Sequence, residues 1–295
     1  MKRAFKFLNL IELPEKPRNK GIIEIRGPYY KYVSLDQLKD LLNTWGYYID
    51  GFKFAGGSQS LLPKDMVKEM VKVCHKHKVY VNTGGMIERV IIDDVNKVID
   101  YIKECKQLEF DVVEVSSGMF ENPNDFSIKD QIEIVKIIIE NGLKAKPEVS
   151  IISGAGAGTE VIGYKESIKY KDLKDVIKEA EEFFKAGAYM VTVESEGITE
   201  GLPEEKWRKD VIIELIKKFG IEKLMFEVSP EENEARKTFK WYLTNVDRWI
   251  NLIMNSENIV EFNAWRLNLW GNKDLWKNKK ISISSLLQNL QKSKL

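Results

Sequence analysis

Histidine and cysteine are nearly missing from this chain, two of each in 295 residues. Both histidines sit in one stretch, CHKH at Cys74 to His77, so a His-dependent triad or a His-rich zinc site has no material elsewhere. CHKH itself closes a helical pattern just before a strand, where cations near a helix C-terminus are expected, and it reads as structural. Cys74 and Cys105 fall in helical patterns without a CxxC partner, which predicts reduced, buried thiols. An excess of either charge is lacking too. With 46 Lys+Arg against 45 Asp+Glu the formal net charge is +1, so no nucleic acid partner is expected. No apolar run reaches the length of a membrane span. The stretch MKRAFKFLNLIELPEKPRNK starts basic, but its apolar part is too short and too interrupted by charge for a signal peptide. The expectation is a cytoplasmic protein with no membrane partner. No Pro-rich or Gly/Ser-rich linker divides the chain, which leaves a second domain nowhere to start.

What is present is a rhythm of short β-branched runs, each followed by an amphipathic helical run, counted eight times. The strands are GIIEIR ending at Arg26, IDGFKF ending near Phe54, KVYVNT ending at Thr83 and FDVVEVS ending at Ser116. They continue with LKAKPEV ending at Val149, AYMVTVE ending at Glu194, KLMFEV ending at Val228 and a weaker VDRWINLI ending near Ile253. LDQLKDLLNTWG, KDMVKEMVKVCHKH, VNKVIDYIKECKQL, IKDQIEIVKIIIENG and LKDVIKEAEEFFKAG carry apolar residues at helical spacing between them. Eight β-then-α units in under 300 residues predict an α/β fold of the (β/α)8 TIM barrel type, whose usual size is about 250 residues. The expected organisation is an N-terminal arm at 1–20, a barrel at 21–271 and a C-terminal helical tail at 272–295. Trp265, Trp270 and Trp276 are read as packing that tail against the barrel or a subunit interface. A homo-oligomer is expected.

In such a barrel the active site lies at the carboxyl ends of the strands, so the polar residues there are the candidates. They are Arg26, Lys53, Asn82, Thr83, Glu114, Lys146, Glu148, Glu194, Glu227 and Asn251. Barrel strands are buried on both faces, and ionisable groups in them carry a desolvation cost that calls for a partner. Several carboxylates together suit a hard cation such as Mg2+, bound by a few oxygens and waters, and Glu114, Glu148, Glu194 and Glu227 stand at successive strand ends as candidates. Arg26 and Lys53 would face an anion across the mouth. With histidine unavailable, acid-base work falls to Lys, Glu, Tyr or water. Lys53, Lys146 and Glu114 are the expected catalytic groups, and Arg26, Ser58, Asn82, Thr83 and Asn251 the substrate-binding ones. Ser58 belongs to AGGS, one of three glycine loops after strands, with TGG at Thr83 and SGAGAGTE after Val149. Backbone amides in such loops can bind phosphate or carboxylate oxygens. SGAGAGTE has no lysine where a nucleotide phosphate loop requires one.

The segments EKPRNKGIIEIRGPYY, YYIDGFKFAGGSQSLLPKD, HKVYVNTGG, FDVVEVSSG, KPEV, AGAYMVTVESEG and KLMFEVSP, in this order and at barrel spacing, resemble the phosphosulfolactate synthase family, which includes a plant heat-stress-associated branch. The likeness runs from about Glu15 to Gly271. It implies a Mg2+-dependent barrel lyase that adds sulfite to phosphoenolpyruvate, forming phosphosulfolactate on a route to coenzyme M, with phosphoenolpyruvate and sulfite as its small anionic partners and Glu148, Glu194 and Glu227 as the expected metal ligands. In the synthases the strand 5 motif continues past Glu-Val into a glycine and a pair of lysines, one of them the proposed proton donor. Here Glu148 and Val149 are followed by Ser150, Ile151 and Ile152. Lys146, on the same strand face as Glu148, or Lys165 beyond the loop would have to serve instead. The wording of GGSQSLLPKD and HKHKVYVNTGG is closer to the heat-stress branch. Three readings stand: the synthase reaction, a barrel lyase with another small acid substrate, and a non-synthase stress-related or interaction protein on the same barrel.

Overall fold

A computed structural model describes residues 4–5, 7–8, 10–29, 31–120, 125–152 and 170–271. Eight parallel strands close into a barrel in chain order: β1 Ile23–Arg26, β2 Gly51–Lys53, β3 Tyr80–Asn82, β4 Val112–Val115, β5 Lys144–Val149, β6 Val191–Val193, β7 Leu224–Glu227 and β8 Leu252–Met254. The pairing of β1 with β8, Ile23 beside Leu252 and Ile25 beside Met254, closes the ring. Around it lie α1 Leu35–Trp45, α2 Lys64–Lys76, α3 Met86–Asp93, α4 Val98–Gln107, α5 Ile128–Glu140, α6 Leu173–Lys185, α7 Lys209–Phe219, α8 Glu232–Asn245 and α9 Ile259–Arg266. Among the described residues, no helix is long and apolar enough to cross a membrane.

Local sequence accounts for several of these elements. Ser34 and Ser127 each form a capping box, with Gln37 and Asp130, that starts α1 and α5. Asp172 caps α6 through the Lys174 amide. Leu38 and Leu42 of α1 and Val67, Met70, Val71 and Cys74 of α2 are fully or almost fully buried at helical spacing. They pack with the outward strand residues, among them Ile23, Ile25, Phe52, Val81, Val113, Ala145, Val191, Leu224 and Leu252, in one apolar layer between sheet and helices. Each large aliphatic buried there contributes roughly 1.5–3 kcal/mol.

The inside of the barrel is different. Its floor is a small separate apolar cluster, Ile22, Met190, Met225 and Ile253, with Tyr80 and Tyr189 against it. Above the floor the inward positions are polar, and these form the candidate site. Residues at the end of the N-terminal arm close the barrel's amino end from below. Lys16 donates to the carbonyls of Gly46 and Ile49, Arg18 pairs with Asp50 at 2.5 Å, and Arg266 donates to the Gly21 carbonyl at 3.0 Å.

The expected eighth strand, VDRWINLI, starts too early. Asp247 accepts from the Trp249 amide in a turn, and the strand proper occupies Leu252–Met254. His75, in the CHKH stretch, contacts Asp111 at 2.8 Å; Asp111 also accepts from the Val81 amide, which ties the end of α2 to the lower ends of β3 and β4. Cys74 and Cys105 are free and buried, and burial pushes both thiols well above their ordinary range. Trp270 is exposed, whereas Trp276 and the tail from 272 lie outside the described residues.

Candidate active site

Side chains alternate along a strand, so in β1 the apolar Ile23 and Ile25 face the helices while Glu24 and Arg26 face the barrel interior. The same parity turns Lys53, Asn82, Glu114, Lys146, Glu148, Thr192, Glu194 and Glu227 inward. Apart from Glu148, which is partly exposed at the mouth, all of these are buried. Five inward carboxylates meet three inward cations.

The contacts form a chain across the barrel. Arg26 donates to Glu227 Oε2 at 2.9 Å and to the Val228 carbonyl at 2.7 Å. The Lys53 ammonium lies 2.7 Å from Glu227 Oε1 and 2.8 Å from Glu114 Oε1. Deeper, Lys146 reaches both oxygens of Glu24 at 2.8 and 2.9 Å, and Glu114 Oε2 at 3.5 Å. Asn82 Nδ2 donates to Glu24 Oε1 and Glu114 Oε2, both at 3.0 Å. These pairs occupy all three cations. Glu148 and Glu194 hold no cation at such range among the described residues.

The titration behaviour follows from that imbalance. Burial pushes the Glu148 carboxyl well above its ordinary range, and the neighbouring Glu194, Glu114 and Glu227 push the same way against Lys53. Burial also raises Glu194 to about 8, with Glu227, Glu196 and Glu200 adding to it. Burial alone would raise Glu227, but Lys53 and Arg26 outweigh it and hold this carboxyl well below the usual carboxylate range. For Lys53 burial opposes the charge, yet Glu114, Glu227, Glu148 and Glu24 hold the ammonium well above its ordinary value.

Glu148, Glu194 and Glu227 each offer an oxygen within 4.8 Å of the others. Three carboxylate oxygens without nitrogen or sulfur are a hard donor set that fits Mg2+ or a similar divalent cation. The electrostatics agree: with every group ionised, five carboxylates against three cations leave two negative charges to be matched.

The loops after the strands frame this mouth. Gly84 has φ +61°, and a Cβ there would stand 2.5 Å from the Phe54 carbonyl oxygen, so β2 and β3 can exit side by side only with glycine at that position. Ser58 Oγ, in the turn after β2, is buried with no hydrogen-bond partner among the described residues. Glu88, in the first turn of α3, accepts from the Ser116 hydroxyl and from the Met119 amide at 2.7 Å, and so ties down the loop after β4. After β6, Ser195 donates to Glu200 and its amide donates to Glu194 Oε1 at 2.7 Å, which orients that carboxylate.

Three expected site residues are placed elsewhere. Asn251 lies just before β8, at the amino end; it accepts from the Ile22 amide and donates to the carbonyls of Ile221 and Leu224, so it joins strands instead of facing a substrate. Its expected place rested on a strand drawn too early. Thr83 has the opposite parity from Asn82 and faces away from the interior; its hydroxyl donates to the Gly84 carbonyl and accepts from the Glu114 amide at 3.3 Å. Lys146 is inward but wholly buried below the mouth, its ammonium occupied by Glu24 and Glu114. Asn82 is fully buried at the same depth. Glu24 was missed, although its place two residues before Arg26 puts it on the same strand face. Glu88 and Glu200 have no comparable signal, because loop and helix geometry bring them in. Lys165 and the SGAGAGTE loop lie outside the described residues.

Comparison with known proteins agrees with this architecture. The chain is 32% identical over 262 residues to the Arabidopsis thaliana protein HEAT-STRESS-ASSOCIATED 32, covering 86% of this chain and 88% of that one. It is 27% identical over 245 residues to the phosphosulfolactate synthase of Methanocaldococcus jannaschii, covering 81% and 87%. Among solved structures, N-acetylneuraminate lyase from Mycoplasma synoviae superposes with a TM-score of 0.50 at 13% identity over 84% of this chain and 74% of that one, which is a likeness of fold. Residues 12–272 match the family described as (2R)-phospho-3-sulfolactate synthase (ComA), and the chain belongs to that family.

Proposed function

We propose that this protein is a Mg2+-dependent lyase for small phosphorylated acids, and that its reaction is the addition of sulfite to phosphoenolpyruvate to give phosphosulfolactate, the product for which its synthase relatives are named. The observation that carries this reading is the convergence of Glu148, Glu194 and Glu227 within 4.8 Å beside the cations Arg26 and Lys53. The three glutamates would hold the metal, which supplies Lewis acidity to a substrate carboxylate as negative charge develops on it.

The chain's own groups do the rest. Sulfite sulfur forms a bond to the terminal vinyl carbon, the double-bond electron pair moves towards the carboxylate, and the carbon bearing the phosphate ester then takes a proton. Arg26 and Lys53 face the substrate's phosphate or sulfite oxygens. Their attachment to Glu227 fixes them before substrate arrives, so little reorganisation is needed when charge develops. Lys53, an ammonium at the mouth, is assigned to that transfer. Its raised pKa is no obstacle, since the enolate-like carbon it protonates is a far stronger base than an amine. The apolar floor and the closed strand ring exclude water from below.

The test is direct. Protein with phosphoenolpyruvate, sulfite and Mg2+ should produce a new phosphate monoester by phosphorus NMR, with the mass of the adduct, and EDTA should abolish it. Unchanged phosphoenolpyruvate at protein concentrations equal to the substrate would sink the named reaction. A second reading, a lyase with another small acid, is favoured by one feature. Past Glu148 the chain runs into Ile151, wholly buried in the apolar layer, and Ser150, whose hydroxyl donates to the Ile152 carbonyl at 2.7 Å. Ser150, Ile151 and Ile152, the described residues of that exit, carry no cation, so turnover of another phosphorylated or carboxylated acid, with sulfite inert, would favour this reading.

A further inference from the structure

We propose that Glu24, sealed beneath the mouth, is a positioning residue that sets the orientation of Glu114 and, through it, the cation and carboxylate array of the candidate site. What the array binds rests on the proposed function; the positioning itself rests on contacts alone.

Glu24 is wholly buried, with the apolar floor of Ile22, Met190, Met225 and Ile253 below it. Lys146 and Asn82 donate to it, with the buried Tyr80 hydroxyl beside it, and both donors also contact Glu114 Oε2. The Asn82 amide has no freedom to turn: Nδ2 spans Glu24 and Glu114, and Oδ1 accepts from the Gly84 amide at 3.2 Å. With Oε2 held in this way, Glu114 presents Oε1 to Lys53 at 2.8 Å, and Lys53 in turn holds Glu227 at 2.7 Å. Every link from Glu24 to Glu227 of the carboxylate triad is thus a direct contact. Stability does not explain such an arrangement, because well-packed apolar residues in place of a buried ion pair are often as stable or more so.

Without the Glu24 charge, the one carboxylate left within 4.0 Å of the Lys146 ammonium among the described residues is Glu114, already at 3.5 Å. It should close on that group and draw it from Lys53. Lys53 would then rest wholly on Glu227, which becomes a poorer metal ligand.

The variants are Glu24→Gln, Glu24→Asp and the double variant Glu24→Gln with Lys146→Met, read by Mn2+ titration, thermal unfolding and crystal structures. Glu24→Gln should bind Mn2+ about 10-fold more weakly than wild type while folded, the size usual for a residue that orients metal ligands. Its crystal structure should show Glu114 Oε1 withdrawn beyond hydrogen-bond distance from Lys53. The double variant removes the competing cation and should regain both contact and affinity. Glu24→Asp keeps the charge but is one methylene short, and should show the same displacement to a lesser degree, which preserves the test if Glu24→Gln does not fold. An unchanged contact between Glu114 and Lys53 in a folded single variant overturns the proposal whether or not metal binds. So does unchanged Mn2+ affinity with lowered thermal stability alone, which is the result for a merely structural ion pair. Wild-type protein that ignores Mn2+ refutes the metal reading and leaves the crystallographic contact to decide the positioning.

Discussion

In metal-free protein, Glu194→Gln should abolish a loss of stability that wild type suffers as pH rises. Burial, reinforced by Glu227, Glu196 and Glu200, lifts the Glu194 carboxyl from its ordinary 4.5 to about 8. Between those values the unfolded chain has released this proton while the folded protein still holds it. The unfolded state therefore binds fewer protons, and stability falls as pH rises through the interval. At about 1.4 kcal/mol per pH unit the displacement amounts to at most about 5 kcal/mol, lost progressively up to pH ~8. Glutamine cannot ionise, so the variant lacks this contribution. Urea unfolding in EDTA, from about pH 5 to about pH 8, should show the variant's advantage growing with pH towards that ceiling. Adding Mg2+ at about 100 times its dissociation constant should restore about 2.7 kcal/mol to wild type, and less to the variant, which has lost a ligand. Parallel stability curves for the two proteins across the pH range would refute the reasoning, because they would mean that Glu194 ionises as freely folded as unfolded.

Lys53→Met should leave Glu114 and Glu227 short of a buried counter-charge and cost about 3–5 kcal/mol of stability, with a raised KM for any anionic substrate. Asn251→Ala should cost about 2–4 kcal/mol through its three lost hydrogen bonds yet leave Mn2+ affinity unchanged, since it sits at the opposite end of the barrel; weakened metal binding would contradict that placement. Gly84→Ala, forced into a left-handed conformation against the Phe54 carbonyl, should destabilise by about 1–3 kcal/mol, as thermal unfolding would report. Cys74 and Cys105 should react with a thiol reagent only after denaturation, and rapid labelling of the native protein would show that α2 or α4 opens.

The barrel was legible because its signals are local. Amphipathic spacing, serine and aspartate caps and β-branched runs each act over a few residues, and β1 to β7 end within a residue or two of their expected positions. β8 also ends within a residue of its expected place but starts later, again for a local reason, since Asp247 makes a turn inside what reads as a strand. The carboxylates were found by the rule that polar residues at strand ends gather at one mouth. That rule assigns depth poorly. Lys146 and Glu148 are two residues apart on one strand face, yet the first is sealed and the second reaches the mouth. Thr83 was misplaced because a strand's end defines where a residue stands but not to which side it turns.

The sequence by itself determined the eight βα units, the lack of material for a His-dependent triad or a His-rich zinc site and the set of charged residues near the strand ends. It also determined, through the period of two, that Glu24 shares a face with Arg26, and Lys146 with Glu148. Only the tertiary structure decided which of these charges meet. Lys146 and Glu24 are 122 positions apart and Arg26 and Glu227 are 201 apart. Their contact depends on closure of the ring and on the stagger of strands around it, which no segment of the chain encodes alone. Closure also decides which carboxylates have a cation beside them and which two do not, and so where a metal ion would be drawn.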